Sequence, residues 1–198
     1  LDRTVALTCA DAGLSGLEFL VGVPGTIGGA VKMNAGCYGQ EVKDVLLWAD
    51  VMDYQGKVTR LSNAELGFTY RHSALRDDQI VVAACFDLKT AIPGVIHERL
   101  IQLLSEREQS QPVKGRTGGS TFKNPVPHKA WELIDKADCR GLQIGQAQVS
   151  EKHCNFLLNL AEATAKELAD LGEQVRKRVE STSGILLEWE IIRLGKFL

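Results

Sequence analysis

Val23-Pro24-Gly25-Thr26-Ile27-Gly28-Gly29-Ala30, continuing to Met33-Asn34-Ala35-Gly36, is the most informative segment of the chain. Glycines lack a Cβ, so their backbone N–H groups can come close to an anion, and a helix opening near Gly28 would add the positive end of its dipole. Thr26 supplies a hydroxyl and Asn34 an amide for further hydrogen bonds. Such a loop suits the pyrophosphate of a dinucleotide. Its spacing is neither GxGxxG nor that of a Walker loop, and no evident parallel strand precedes it. Pro24-Gly25 can equally form a tight turn, and Gly28-Gly29 can serve close packing. The residues alone leave both readings open.

Outward from this loop, Thr4 to Thr8 reads as a short strand and Leu17 to Val21 as a short helix. Val45 to Asp53 and Lys57 to Arg60 alternate as a hairpin with Gly56 in its turn. Ser62 and Glu65 have capping-box spacing, and Gln79 to Leu88 reads as a buried strand. After Pro93-Gly94, a helix to about Arg107 carries Ile96, Leu100, Leu103 and Leu104 on one stripe. The polar, Gly- and Pro-rich stretch Gln109 to Pro127 is a linker or a site loop. Ala130 to Ala137 then reads as a helix, and Asn155 to Leu160 as a strand. A long helix follows, capped by Thr164 and Glu167 and faced by Leu168, Leu171, Val175 and Val179. Gly184 ends it, and Ile185 to Leu194 returns as a strand. The mixture is α+β in two lobes.

The totals narrow the function. A length of 198 residues permits one large or two small domains. A net charge of -2 offers no basic field for nucleic acid, and Arg176-Lys177-Arg178 reads as a solvated helix face. The longest apolar run, Ile80 to Phe86, is far too short for a membrane span, and no leader for export is evident. Cys9, Cys37, Cys85, Cys139 and Cys154 form no CxxC pair, which fits buried free thiols in a reducing cytosol rather than zinc or disulfides. No metal is expected, and the expectation is a cytoplasmic monomer. The chain starts at Leu1 rather than Met, as a fragment would.

A second stretch, Thr117-Gly118-Gly119-Ser120-Thr121-Phe122-Lys123-Asn124-Pro125, can hold the Ser120 hydroxyl out from an exposed loop. Lys123 and Asn124 can bind phosphate or sugar oxygens. There is no Ser-x-Gly elbow, and nothing marks His128 as a base, so a hydrolase triad is the poorer reading. A hydroxyl without a base can instead donate a proton. A Gly-Gly turn with a capping serine is the plainer possibility. Tyr70-Arg71 offers a guanidinium suited to a carboxylate, or to a surface ion pair. Glu188 and Glu190 alternate onto one face, which either turns inward for a reason or is simply solvated.

Taken in order, these segments resemble the UDP-N-acetylenolpyruvoylglucosamine reductase (MurB) family. The resemblance rests on Gly16-Leu17-Glu18-Phe19, Val23 to Val31 and Met33-Asn34-Ala35-Gly36-Cys37-Tyr38-Gly39. It continues through Tyr70-Arg71, Gly118 to Pro125, Trp131-Glu132-Leu133-Ile134 and Leu187-Glu188-Trp189-Glu190. The resemblance implies the second lobe of a PCMH-type FAD-binding domain over about 1–110, rejoined by a strand at 186–198. A smaller α+β substrate-binding domain would occupy about 111–185. It implies reduction of UDP-N-acetylglucosamine enolpyruvate to UDP-N-acetylmuramate through FAD and NADPH, in peptidoglycan synthesis.

Carried over by motif position, Ser120 is the general acid, while Arg71 and Glu190 flank the substrate carboxylate. Gly25, Thr26, Ile27, Gly28, Gly29 and Ala30, with Asn34, Ala35 and Gly36, hold the FAD pyrophosphate. Tyr70 lines the pocket, Lys123 and Asn124 contact substrate or support Ser120, and His153 is a polar substrate contact or a structural histidine. The shorter subtype is implied. Members normally carry another half-domain with a further flavin loop before the segment at Leu1. If the chain is complete as given, weak or absent FAD binding is expected. The alternatives are a non-catalytic UDP-sugar-binding fragment without the first flavin lobe, and a related FAD oxidase.

Overall fold

Residues 1–195 are described in the computed structural model, and their contacts divide them into two compact units, Leu1–Arg107 and Glu108 onward. In the first unit, α1 spans Asp2–Asp11, with Ala6 and Ala10 buried one helical turn apart. The expected strand over Thr4–Thr8 is therefore a helix. Thr4, Val5 and Thr8 bias the local preference toward strand. The small residues at i and i+4, however, let this segment pack on the 3₁₀ turn Glu18–Gly22.

The short strand β1 (Leu14–Ser15) precedes that turn, and α2 (Ile27–Lys32) follows the glycine loop. Strands β2 (Gly36–Cys37) and β3 (Gln40–Glu41) form a tight hairpin. Next come β4 (Leu46–Asp53), β5 (Val58–Ser62) and β6 (Gln79–Phe86), an antiparallel sheet ordered β5-β4-β6. Gly56 takes φ +80° in the β4–β5 turn, as its position predicts. The capping pair also forms, with the Glu65 carboxylate accepting the Ser62 N–H at 2.8 Å.

Strand β6 departs from the sequence reading. Ile80 and Val82 are each half exposed (50%), while Val81, Ala84 and Phe86 pack on the core. Its composition is apolar on both faces, but only the inner face is covered in this chain. Strand β7 (Lys89–Thr90) pairs with β1, and α3 (Pro93–Ser110) buries Ile96, Leu100 and Leu103 at i, i+4 and i+7. Each such side chain contributes about 1.5–3 kcal/mol by leaving water.

The second unit contains β8 (Arg116–Ser120), α4 (Ala130–Lys136), β9 (Gln143–Ile144), β10 (Ala147–Val149), β11 (Phe156–Asn159) and α5 (Ala165–Ser183). Its antiparallel sheet is ordered β8-β11-β10-β9. Helix α5 begins at the expected capping box. Thr164 Oγ1 accepts the Glu167 N–H at 3.1 Å, and the Glu167 carboxylate accepts the Thr164 N–H at 2.7 Å. It ends at Gly184 in the left-handed conformation (φ +73°). Leu171, Val175 and Val179 are its buried stripe.

The boundary between the two units falls at Arg107–Glu108, within the last turn of α3. Over 185–194 a strand is not formed. The segment carries one isolated bridge, Trp189 to Phe122, and its described residues group with the second unit. The remainder of the expected terminal strand, 196–198, lies outside the described residues.

Candidate active site

The glycine loop leads directly into α2. Thr26 is the N-cap, and its hydroxyl accepts the Gly29 N–H at 3.3 Å. The first-turn N–H groups of Ile27 and Gly28 have no acceptor within the helix. Pro24, Gly25, Thr26 and Gly29 are exposed, so this helix opening faces solvent. A Cβ at Gly28 would stand 3.4 Å from the Val81 carbonyl, which shows how closely α2 lies on β6. Exposed, Cβ-free backbone at a helix start fits the pyrophosphate of FAD in chemistry.

The remaining members of the expected cradle stand behind this opening. Ala30 is buried and Ala35 packs against the core. Asn34 is fully buried (0% exposed), so its amide does not serve a ligand directly as the sequence reading held. Asn34 Nδ2 donates to Glu41 Oε2 and to the Thr69 carbonyl, each at 3.0 Å, and Oδ1 accepts the Lys43 N–H at 3.0 Å. At Gly36 an added Cβ would lie 2.7 Å from the Gln40 carbonyl oxygen, so only glycine fits the hairpin there.

Tyr70 and Arg71 are the two central residues of a tight turn closed by Thr69 N–H to His72 O at 3.0 Å and His72 N–H to Thr69 O at 3.2 Å. Arg71 holds φ +55°, a conformation that a turn normally gives to glycine or asparagine at this position. Its guanidinium donates to the Gly36 carbonyl at 2.8 Å and lies 5.0 Å from the Tyr70 ring centroid. Tyr70 remains exposed. Burial pushes the neighbouring Cys37 thiol up in pKa, against the pull of Arg107 and Arg71, and Cys37 Sγ donates to the Phe19 carbonyl. That thiol is a packed, protonated group rather than a nucleophile.

In the second unit, Ser120 is the last residue of β8, paired with Phe156, and not part of an exposed loop. Gly119 just before it takes φ +88°, which turns the chain so that Ser120 joins the strand. Beyond Ser120 the backbone is held on two sides. On one side, Glu190 N–H donates to the Thr121 carbonyl at 2.9 Å, and Lys123 N–H donates to the Glu188 carbonyl at 2.9 Å. Ser120 and Glu190, remote in sequence, are thus carried by directly bonded segments. The Lys123 ammonium pairs with the Glu188 carboxylate, and Asn124 Oδ1 accepts the Ala130 N–H at 2.9 Å, steadying the start of α4. Both side chains support the serine segment.

On the other side stands Asn155, which the sequence reading missed. Buried (4% exposed), its amide accepts the Phe122 N–H at 3.0 Å and donates to the Phe122 carbonyl at 2.8 Å, imitating a strand. Its own N–H donates to His153 Nδ1 at 3.3 Å. That bond requires the neutral ring, and burial lowers the His153 pKa in the same sense. His153 also meets the Phe156 ring edge-on at 4.9 Å, so it serves structure here. A cleft of about 460 Å³ in this unit is walled by Leu168, Trp189 and Ile191 and includes neither Ser120 nor Glu190.

Residues 111–194 match the family described as UDP-N-acetylenolpyruvoylglucosamine reductase, C-terminal domain, and residues 3–62 match an FAD binding domain. A crystal structure of UDP-N-acetylenolpyruvylglucosamine reductase from Thermus caldophilus superposes with a TM-score of 0.83 at 37% identity, covering 96% of this chain and 69% of that one. The chain belongs to the UDP-N-acetylenolpyruvoylglucosamine reductase family. Family members from Gluconobacter oxydans (56% identical over 99% of this chain) and Paramagnetospirillum magneticum (57% over 98%) carry the same description. The chain spans 64% of the length of each of these curated relatives. Both parts implied by the sequence resemblance are therefore present: an FAD-binding portion, then the reductase's C-terminal domain. No described helix is long and apolar enough to cross a membrane.

Proposed function

We propose that this chain contributes the second flavin lobe (about 1–110) and the substrate domain (about 111–185) to reduction of UDP-N-acetylglucosamine enolpyruvate by NADPH, giving UDP-N-acetylmuramate. The observation that carries the reading is the bond from Glu190 N–H to the Thr121 carbonyl, which sets the expected carboxyl residue beside the strand that ends in Ser120. A bound FAD supplies the hydride chemistry that no amino-acid side chain provides. The chain's residues bind, orient and protonate. The open N–H groups at Ile27 and Gly28, with Gly25, Thr26 and Gly29, receive the pyrophosphate.

Arg71, held by Gly36, and Glu190 flank the substrate carboxylate, where charge develops as the double bond is reduced. Ser120 donates the proton to the carbon beside that carboxylate. Tyr70 lines the substrate pocket, while Lys123, Asn124 and His153 support the serine segment. The reaction belongs to peptidoglycan precursor synthesis, with the protein acting in the cytoplasm as a monomer.

The test separates the half-reactions. In a full-length version that carries both flavin lobes, Ser120→Ala should leave reduction of flavin by NADPH intact and slow reoxidation by the enolpyruvyl substrate by about two to four decades, the range for a lost positioned acid. Glu190→Gln should likewise spare the first half-reaction. Equal losses in both halves for Ser120→Ala would make the serine structural.

A further inference from the structure

The turn that presents Arg71 and the segment that closes the glycine loop are bonded to each other in both directions. Asn34 Nδ2 reaches the Thr69 carbonyl at 3.0 Å, two residues before Arg71. Arg71 Nη2 reaches back to the Gly36 carbonyl at 2.8 Å, two residues beyond Asn34. Further bonds flank this pair. Ser73 Oγ donates to the Lys32 carbonyl at 2.7 Å, and the Lys32 ammonium donates to the carbonyls of Leu75 and Arg76. The two segments are thus joined along their length.

Both central residues sit in the left-handed region, Asn34 at φ +44° and Arg71 at +55°. Asparagine tolerates that conformation, but arginine does so at a cost of about 1–2 kcal/mol. A strained residue persists only where its surroundings over-determine it. Around Arg71 those surroundings are the cross-turn bonds, the Gly36 carbonyl and the Asn34 amide on Thr69. Glu41 and Thr69 take both amide N–H groups of Asn34, and its carbonyl accepts the Lys43 N–H.

We infer that Asn34 is a positioning residue for Arg71, fixing the arginine turn to the end of the glycine loop. The inference deepens the proposed function, because it matters for catalysis only if Arg71 meets the substrate carboxylate. One conformational element then sets both the backbone behind the pyrophosphate loop and the direction of the guanidinium. A change that frees the turn should loosen Arg71 without dissolving the core.

Amide hydrogen exchange by NMR on the 198-residue chain tests this residue by residue. Asn34→Asp keeps an acceptor for the Lys43 N–H but loses the donors to Thr69 and to Glu41, whose carboxylate it then faces. Exchange at Thr69 and His72 should quicken about tenfold, the effect of losing one well-made hydrogen bond, with Lys43 and the buried α3 residue Leu100 changed less than about twofold. Asn34→Ala should quicken Lys43 as well. Unchanged exchange at Thr69 and His72 in both variants overturns the inference, and so does an equal rise that includes Leu100. Calorimetry with UDP-N-acetylglucosamine enolpyruvate then reads the functional assignment separately. If Arg71→Ala binds it as well as the parent while the exchange pattern holds, the role of Arg71 in substrate binding fails and the positioning of its turn by Asn34 stands.

Discussion

Trp189 fills the space that a side chain at Gly172 would need: a Cβ built on Gly172 would lie 2.0 Å from the indole ring. The glycine sits inside α5, where alanine would ordinarily favour the helix by about 0.5–1 kcal/mol. Here the vacancy is a socket. The indole also donates Nε1–H to Glu173 at 3.0 Å and stacks obliquely on Phe122, with centroids 4.9 Å apart. Gly172→Ala should therefore destabilise the protein by about 1–3 kcal/mol, as overpacking does, despite the better helix former. Urea unfolding measures the sign. Since Trp189 adjoins Glu190, the variant should also shift tryptophan emission, and an unaltered spectrum with raised stability would refute the socket.

Asn155 gives a second prediction. Asn155→Ala removes both bonds to Phe122 and leaves a buried N–H and C=O without partners, so a loss of about 2–4 kcal/mol is expected. Asn155→Asp retains the acceptor but turns a carboxylate oxygen toward the Phe122 carbonyl, and it should be no better tolerated. Because Phe122 follows Ser120 and Thr121, either change should impair substrate-dependent flavin reoxidation more than flavin reduction. A loss confined to stability would restrict Asn155 to the fold.

The contrast between these residues and the expected ones shows what sequence can carry. The β4–β5 hairpin and α5 were legible because periodicity, a turn glycine and a capping box all point the same way. Helix α1 was not, since its buried face consists of Asp2 and two alanines among β-branched neighbours, and burial of a carboxylate and small residues leaves no apolar pattern. Strands β9 and β10 are too short and too rich in glutamine to show alternation. Ser120, Arg71 and Glu190 are marked by motif position alone. Nothing local could mark Asn155 or Gly172, whose meaning lies in partners far along the chain. Asn34 was marked but misassigned, because a conspicuous polar residue in a glycine loop looks the same whether its amide faces outward or inward.

His153 predicts a pH dependence of stability. Its folded pKa is lowered, first by burial and further by Arg140. Between that depressed value and the ordinary 6.5, the unfolded chain binds more protons than the folded one, so stability rises with pH. The contribution is fully present above about pH 6.5 and is lost as the pH falls through the folded value, when a protonated Nδ1 can no longer accept the Asn155 N–H. Urea midpoints should fall between pH 7.5 and 5.5 more steeply in the parent than in a His153→Asn variant. Parallel slopes would show that His153 does not titrate in this window.

Gly36 in β2 and Gly39 in the turn that follows it offer a paired prediction within one hairpin. At Gly39 the constraint is backbone alone: φ is +80° and an added Cβ would meet nothing within 4 Å. Gly39→Ala should therefore cost about 1–2 kcal/mol of left-handed strain and leave its surroundings in place. At Gly36 the constraint is contact, with the Gln40 carbonyl and Glu41 Cγ each 2.7 Å from the new Cβ. Relief must come from backbone of the paired strand, a harder adjustment than swinging a side chain. It would displace Glu41 from the Asn34 amide and the Gly36 carbonyl from Arg71. Gly36→Ala should thus alter the NMR resonances of Thr69 through His72, whereas Gly39→Ala should not. If both variants perturb that turn alike, the link from hairpin to arginine runs through general loosening rather than through these bonds.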